Sequence, residues 1–143
     1  MVFQQPNGHR FDVVDSGPIH EWIESVNPDE WKHGSGAAAI ETTEHQLGLM
    51  FRQGIGLILT YTSLDLEEMY FSQSANASTT PVSVFVGGDY FNFAKSLFVE
   101  MEIGLKAIDE FVTSPQTRPA VVDWIRSMDR PSLSDDLLHG EEY

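Results

Sequence analysis

The sequence predicts an α+β domain: an antiparallel sheet of hairpins, with an N-terminal helix and a long helix in the C-terminal half packed mainly on one face. Three observations carry that expectation. Apolar residues alternate on both sides of Gln53-Gly54, with Leu47, Leu49 and Phe51 before it and Ile55, Leu57, Leu59 and Tyr61 after it, the period of two that half-buried strands show. Between Val99 and Val112 the spacing becomes helical: Val99, Ile103, Ala107 and Phe111 form one stripe, which Leu105, Ile108 and Val112 widen. The chain has 143 residues, 41% of them hydrophobic, which suits one core rather than two.

The elements follow in order. Pro6-Asn7-Gly8 is a turn signal between two short strand-like pieces, Val2 to Gln5 and Phe11 to Val14, so the chain opens with a hairpin. Ser16-Gly17-Pro18 starts a helix, with Ser16 as cap and the proline preset for an early helical position. Ile19, Trp22, Ile23 and Val26 recur at helical spacing and leave Glu21, Glu24 and Ser25 outward, until Pro28 disfavours α geometry at Asn27. Asp29 to His33 can add one helical turn before Gly34-Ser35-Gly36 breaks the chain.

Ala37 to Thr42 reads as a weaker strand, followed by the two arms that Gln53-Gly54 joins as a tight hairpin. Glu67 to Gln73 and Pro81 to Val86 continue the strand pattern, and Gly87-Gly88 turns the chain into a last arm from Asp89 to Ala94. Residues 74–80 between them are small and polar, as expected of an exposed, mobile loop. Gly104 inside the C-terminal-half helix costs about 1 kcal/mol relative to alanine, which close packing against a neighbour would offset. A proline-terminated turn through Pro119 leads into a short closing strand from Val121 to Ile125. Residues 1–125 thus form the domain, and 126–143 a tail whose Leu133, Leu137 and Leu138 suit one short helix against the body.

Asp and Glu number 22 against eight Lys plus Arg, a formal net charge of -14. Such a field repels phosphate backbones, which disfavours nucleic acid as a direct partner, and it speeds encounter with a basic protein. Solubility alone is the plainer account of the same acidity. Cysteine is absent, which removes disulfides, thiolate nucleophiles and Cys-based zinc sites. The opening residues lack a charged leader followed by a long apolar run, and the longest apolar stretch, Ile55 to Leu59, is far too short to cross a bilayer. A cytoplasmic location without membrane contact is the expectation, and Asn76-Ala77-Ser78 is then a chance sequon.

Catalytic signals are weak. The five histidines, His9, His20, His33, His45 and His139, fall in no metal-ligand spacing, so no metal is expected. Neither a G-x-S-x-G nucleophile elbow nor a dinucleotide glycine pattern is present, so no cofactor is expected. The many adjacent carboxylates suit solvated faces. A more pointed set is Tyr61, Asp65, Glu67, Glu68, Tyr70, Asp89 and Tyr90, gathered around two strands and their turns. Aromatic anchors beside carboxylates suit a surface that meets a basic cleft, because aromatics supply desolvated area and carboxylates pair with Arg or Lys. Ordinary strand alternation, core aromatics between solvated acids, produces the same pattern. A small enzyme or ligand-binding domain, with a pocket between sheet and helices, is the alternative from another class. Monomer and dimer are both compatible with the sequence.

With helix and closing strand placed, the stretch from Leu47 to Ile125 resembles the Imm-one family of immunity proteins, which neutralise toxins of bacterial polymorphic and contact-dependent systems. Gly56 to Tyr61, Val99, the run Ala107-Ile108-Asp109-Glu110-Phe111, Pro119 and Trp124 carry the likeness, more by order and spacing than by any one residue. Pro115-Gln116-Thr117 departs from it, standing where a glycine-containing turn is commoner. The resemblance implies a non-enzymatic protein that binds a cognate toxin, often by plugging the active site of a nuclease or nucleic-acid deaminase. It supplies no catalytic residue, and the matched positions are mainly fold determinants.

Overall fold

A computed structural model describes residues 1–65 and 68–143. Among the described residues ten strands and two α-helices form an α+β fold in which the paired strands are antiparallel. In chain order these are β1 Val2–Gln4, β2 Arg10–Asp12, α1 Gly17–Ser25, β3 Ala37–Glu41, β4 His45–Arg52, β5 Gly56–Ser63, β6 Glu68–Gln73, β7 Pro81–Val86, β8 Asp89–Ala94, β9 Phe98–Val99, α2 Met101–Thr113 and β10 Asp123–Arg126. The main sheet runs β10-β6-β5-β4-β3-β1-β2, and β7-β8 form a second sheet.

Pairing of β4 with β5 sets the register, from His45 opposite Ser63 to Arg52 opposite Gly56. Leu47, Leu49, Leu57 and Leu59 then share one face, where Ile19 and Ile23 of α1 and Ala107, Ile108 and Phe111 of α2 bury them. Fully burying one such side chain contributes about 1.5–3 kcal/mol, so this layer carries most of the core. A row of aromatic contacts, Phe3 on Trp22 at 5.5 Å, Trp22 on Trp31 at 5.2 Å and Trp31 on Phe51 at 5.3 Å, ties the opening hairpin and α1 to β4. Gly104 sits where a Cβ would stand 2.5 Å from Leu57 Cδ1, the close approach of helix to sheet that its position suggested.

One edge of β5 is shared by two strands. Its second half pairs with β6, Thr60 to Ser63 opposite Phe71 to Glu68, while its first half pairs with β9, Leu57 opposite Val99. Leu59 lies at the join, and its N–H donates to the buried Ser72 hydroxyl at 2.9 Å; that hydroxyl in turn donates to the Leu97 carbonyl at 2.7 Å. A side chain thus satisfies a backbone donor that neither strand reaches.

Several expectations change. Val99 belongs to a strand, not to the helix, which begins at Met101 because the chain must first close against Leu57. The second opening strand is Arg10–Asp12, and Val14, expected in it, is 96% exposed. Ser16 stands at the N-cap of α1 as expected, but its side chain makes no cap bond: the hydroxyl donates to Asp109 at 2.6 Å, and Asp15 accepts the Gly17 N–H at 2.9 Å. Residues 74–80 are a mostly exposed loop, as expected, held at its ends by backbone bonds from Ser74 N–H to the Ser96 carbonyl at 2.8 Å and from Lys95 N–H to the Thr80 carbonyl at 2.9 Å. Residues after β10 form two short 3-10 helices, Ser127–Asp129 and Asp135–Leu137, where one short helix is expected. They bond along β8 through Asn92, whose side-chain amide donates to the Leu137 carbonyl at 2.8 Å.

The second face of the main sheet is the largest departure, because the β7-β8 hairpin folds back over part of it. Val84 and Phe93 pack on Met50, Ile58 and Phe71, while the Arg52 guanidinium donates to the Ser83 carbonyl at 2.8 Å and Gly87 N–H to the Ser35 carbonyl at 2.6 Å.

Candidate partner-binding face

Tyr61 and Tyr70 stand directly opposite each other on β5 and β6, on the helix side of the sheet. Tyr61 is 5% exposed, donates its hydroxyl to the Pro115 carbonyl at 2.8 Å, and packs on Phe111 and Trp124. Burial pushes its phenol above the ordinary range, while the Arg118 charge acts the other way. The Arg118 guanidinium lies 4.0 Å over the Tyr70 ring, Trp124 Nε1–H donates to the Pro119 carbonyl at 2.8 Å, and Glu110 accepts the Val121 N–H at 3.1 Å. Tyr61 and Tyr70 are therefore a latch on the loop after α2, not free anchors.

Asp89 and Tyr90 lie at the other end of the molecule from Glu68. Tyr90 packs between Phe85 and Tyr143, whose ring lies 3.6 Å from the Arg52 guanidinium carbon. Arg52 pairs with Gly56 at the start of β5, whereas Glu68 pairs with Ser63 at its end. That strand is eight residues long, which separates the two groups by roughly 20 Å at about 3.3 Å per residue. Burial first, and then the charges of Glu142, Tyr143 and Asp89, raise the Tyr90 phenol. The set expected as one cluster is divided, because β7 and β8 form their own sheet. Glu67 lies outside the described residues.

What stays open is the rest of the sheet face opposite the helices, and it is ordered in rows. The row Ala37, Met50, Ile58 adjoins the hairpin, whose Val84 packs on Met50 and Ile58. Next comes Ala39, Gly48, Thr60, Phe71, one residue from each of four adjacent strands. Beyond it stands the polar row Glu41, Gln46, Thr62, Met69. The middle row lines an open groove of about 450 Å³ together with Gln4, Met69, Phe93 and Arg130. Gly48 has a packing reason: a Cβ there would stand 2.3 Å from Thr60 Oγ1.

At this end of the sheet Glu44, Asp65 and Glu68 are exposed, together with Leu64 at 48% and Met69 at 41%; Met69 is on the face opposite the helices, while Glu68, opposite Ser63, is on the side of Tyr61 and Tyr70. Leu64 N–H donates to the Glu44 carbonyl at 2.8 Å, joining the β3-β4 loop to the turn after β5, and the Ser63 hydroxyl donates to Asp65 at 2.6 Å. Little of the acidity is cancelled internally. Among the described residues Arg10–Glu41, at 3.0 Å, is the one ion pair between a Lys or Arg and a carboxylate. Lys32, Arg52, Arg118 and Arg130 instead lie over aromatic rings.

Ser16, His20 and Asp109 come together between the helices, but both other side chains point at Asp109, His20 Nε2 at 2.7 Å. A serine nucleophile needs its hydroxyl on the base, which this arrangement does not provide. Among the described residues no three His, Cys, Asp or Glu side chains converge as a metal site, and no helix is long and apolar enough to cross a membrane.

No protein family and no characterised protein matches the chain by sequence. Around the turn after α2 Tyr61, Phe111 and Trp124 touch, and Glu110 and Pro119 fix the loop beside them; Gly56 and Val99 meet where β9 joins β5, a Cβ at Gly56 lying 2.2 Å from the Val99 carbonyl oxygen.

Ala39, Gly48 and Thr60 are single small residues on three strands, and their alignment in one row is visible only when the register is known.

Proposed function

We propose that this chain is an inhibitor of the immunity-protein kind, which acts by occupying a cationic protein domain rather than by turning over a substrate. The observation that carries the reading is the exposed carboxylates Glu44, Asp65 and Glu68 at one end of the sheet, in a chain of net charge -14 in which four of the eight Lys and Arg lie over aromatic rings. A nuclease or nucleic-acid deaminase keeps a positive groove for phosphates, so carboxylates placed there replace the charge of the substrate. The cytoplasm, where a toxin of this kind would act, is the proposed location.

The test is co-expression with the protein encoded beside this one. Rescue of growth from that protein's toxicity, with a stable complex on purification, is the expected result. Undiminished toxicity and no complex would refute the reading.

A further inference from the structure

We infer that residues 138–143 are a displaceable strap over a peptide site on the β7-β8 hairpin. An extended partner segment, with a glycine and, three residues on, an aromatic ring, takes that site when the strap leaves. The site is independent of the inhibitor reading.

Strand pairing defines what the strap covers. In the hairpin Ser83 stands opposite Asn92 and Phe85 opposite Tyr90, and each of the four has a backbone group bonded outside the hairpin. On the β8 edge the Asn92 N–H donates to the Leu138 carbonyl at 3.0 Å, and the Tyr90 carbonyl accepts the Gly140 N–H at 2.9 Å, so the strap runs along β8 as a third strand would. On the β7 edge the Phe85 N–H donates to the Tyr143 hydroxyl at 3.1 Å, beside the Ser83 carbonyl that Arg52 holds. One segment thus closes edges that would otherwise pair with another chain.

The site selects its ligand at two points. Gly140 is buried, and a Cβ there would stand 2.9 Å from the Phe91 nitrogen and 3.0 Å from the Tyr90 carbonyl carbon, so only glycine lies this close to β8. The Tyr143 ring has the Arg52 guanidinium carbon 3.6 Å and Lys32 Nζ 4.2 Å from its centroid, and it meets Tyr90 edge-on at 5.5 Å. Among the described residues no other ring has two cations over it. Lys32 also donates to the Tyr143 carbonyl. Glu141 and Glu142, exposed beside the ring, supply the charge that this pair of cations favours.

Little else holds the strap down. Leu137 and Leu138 are 42% and 45% exposed, and from Ser134 to Glu142 only Gly140 is buried. A segment held by a few backbone bonds and one clasp opens without global unfolding. Its departure leaves a strand edge beside a seat for one side chain, the parts that strand addition uses.

The experiment uses the whole chain. Amide hydrogen exchange in the wild type is expected to be at least tenfold faster at Phe85, Asn92 and Gly140 than at Val84 and Phe91, which pair within the hairpin. An amide-resonance titration then compares acetyl-Leu-His-Gly-Glu-Glu-Tyr-amide with the same peptide carrying alanine for tyrosine. Tyr143→Ala empties the clasp, and Gly140→Ala lifts the strap if the first variant does not fold. The variant is expected to bind the tyrosine peptide at least tenfold more tightly than the wild type, whose tethered strap competes at high effective concentration. Phe85, Tyr90 and Asn92 should move, and the alanine peptide should bind at least tenfold more weakly. Equal exchange at the two sets of amides, equal binding of both peptides, no binding to the variant, a wild type that binds as tightly, or a wild-type dimer in which each strap fills the other copy's site would overturn the inference. Neutralisation of the neighbouring toxin, present or absent, does not enter these readouts, so the two readings fail separately.

Discussion

Ser72 holds Leu59 in place across a gap in the sheet: its hydroxyl accepts the Leu59 N–H at 2.9 Å where β6 has already left β5 and β9 has not yet joined it. Ser72→Ala leaves that buried N–H and the Leu97 carbonyl without this partner. The expected loss is about 1–3 kcal/mol, the cost of a buried group left unsatisfied. A urea midpoint that falls with unchanged slope would report it; an unchanged midpoint would mean that water enters the join.

Tyr61 gives a pH-dependent prediction. Its phenol is raised in the folded chain, chiefly by burial, so on alkaline titration the unfolded chain loses this proton first, from about pH 10. The stability Tyr61 contributes is full below that pH and is lost as pH rises through the folded value. Tyr61→Phe should cost about 0.5–1.5 kcal/mol at neutral pH through the bond to Pro115, and it should flatten the alkaline fall in stability. Parallel profiles for the two proteins would assign the alkaline limb to other groups.

Phe111 lies between helix and sheet with no exposure. Phe111→Ala removes the ring that packs on Tyr61 at 6.2 Å and should destabilise by about 3–5 kcal/mol. Thermal and urea unfolding measure it directly, and a loss under 1 kcal/mol would contradict the packing of α2.

Glu44→Lys combined with Glu68→Lys reverses two exposed charges for which no side-chain bond is seen among the described residues. Folding should change by less than about 0.5 kcal/mol. Association with the cationic partner should slow several-fold at low salt, and the difference should shrink as salt screens it. Salt-independent, unchanged association kinetics would place the interface elsewhere.

Local chemistry made much of this fold readable in advance. Period-two alternation around Gln53-Gly54, the Gly87-Gly88 turn and the helical stripe ending at Val112 each depend on residues close in the chain, so the α+β class and the antiparallel hairpins follow from sequence alone. Tertiary structure decided the rest, because it depends on which distant residues meet. Whether Val99 closed a strand or opened a helix was settled by Leu57 across the sheet, and the β7-β8 hairpin's folding over Met50 and Ile58 was settled by contacts with Arg52 and Ser35. The same register drew Tyr61 and Tyr70 into a latch, parted them from Tyr90, and lined up Ala39, Gly48 and Thr60 from three strands. Charge is a property of composition, but which outward positions stand in one row exists only once the strands are paired.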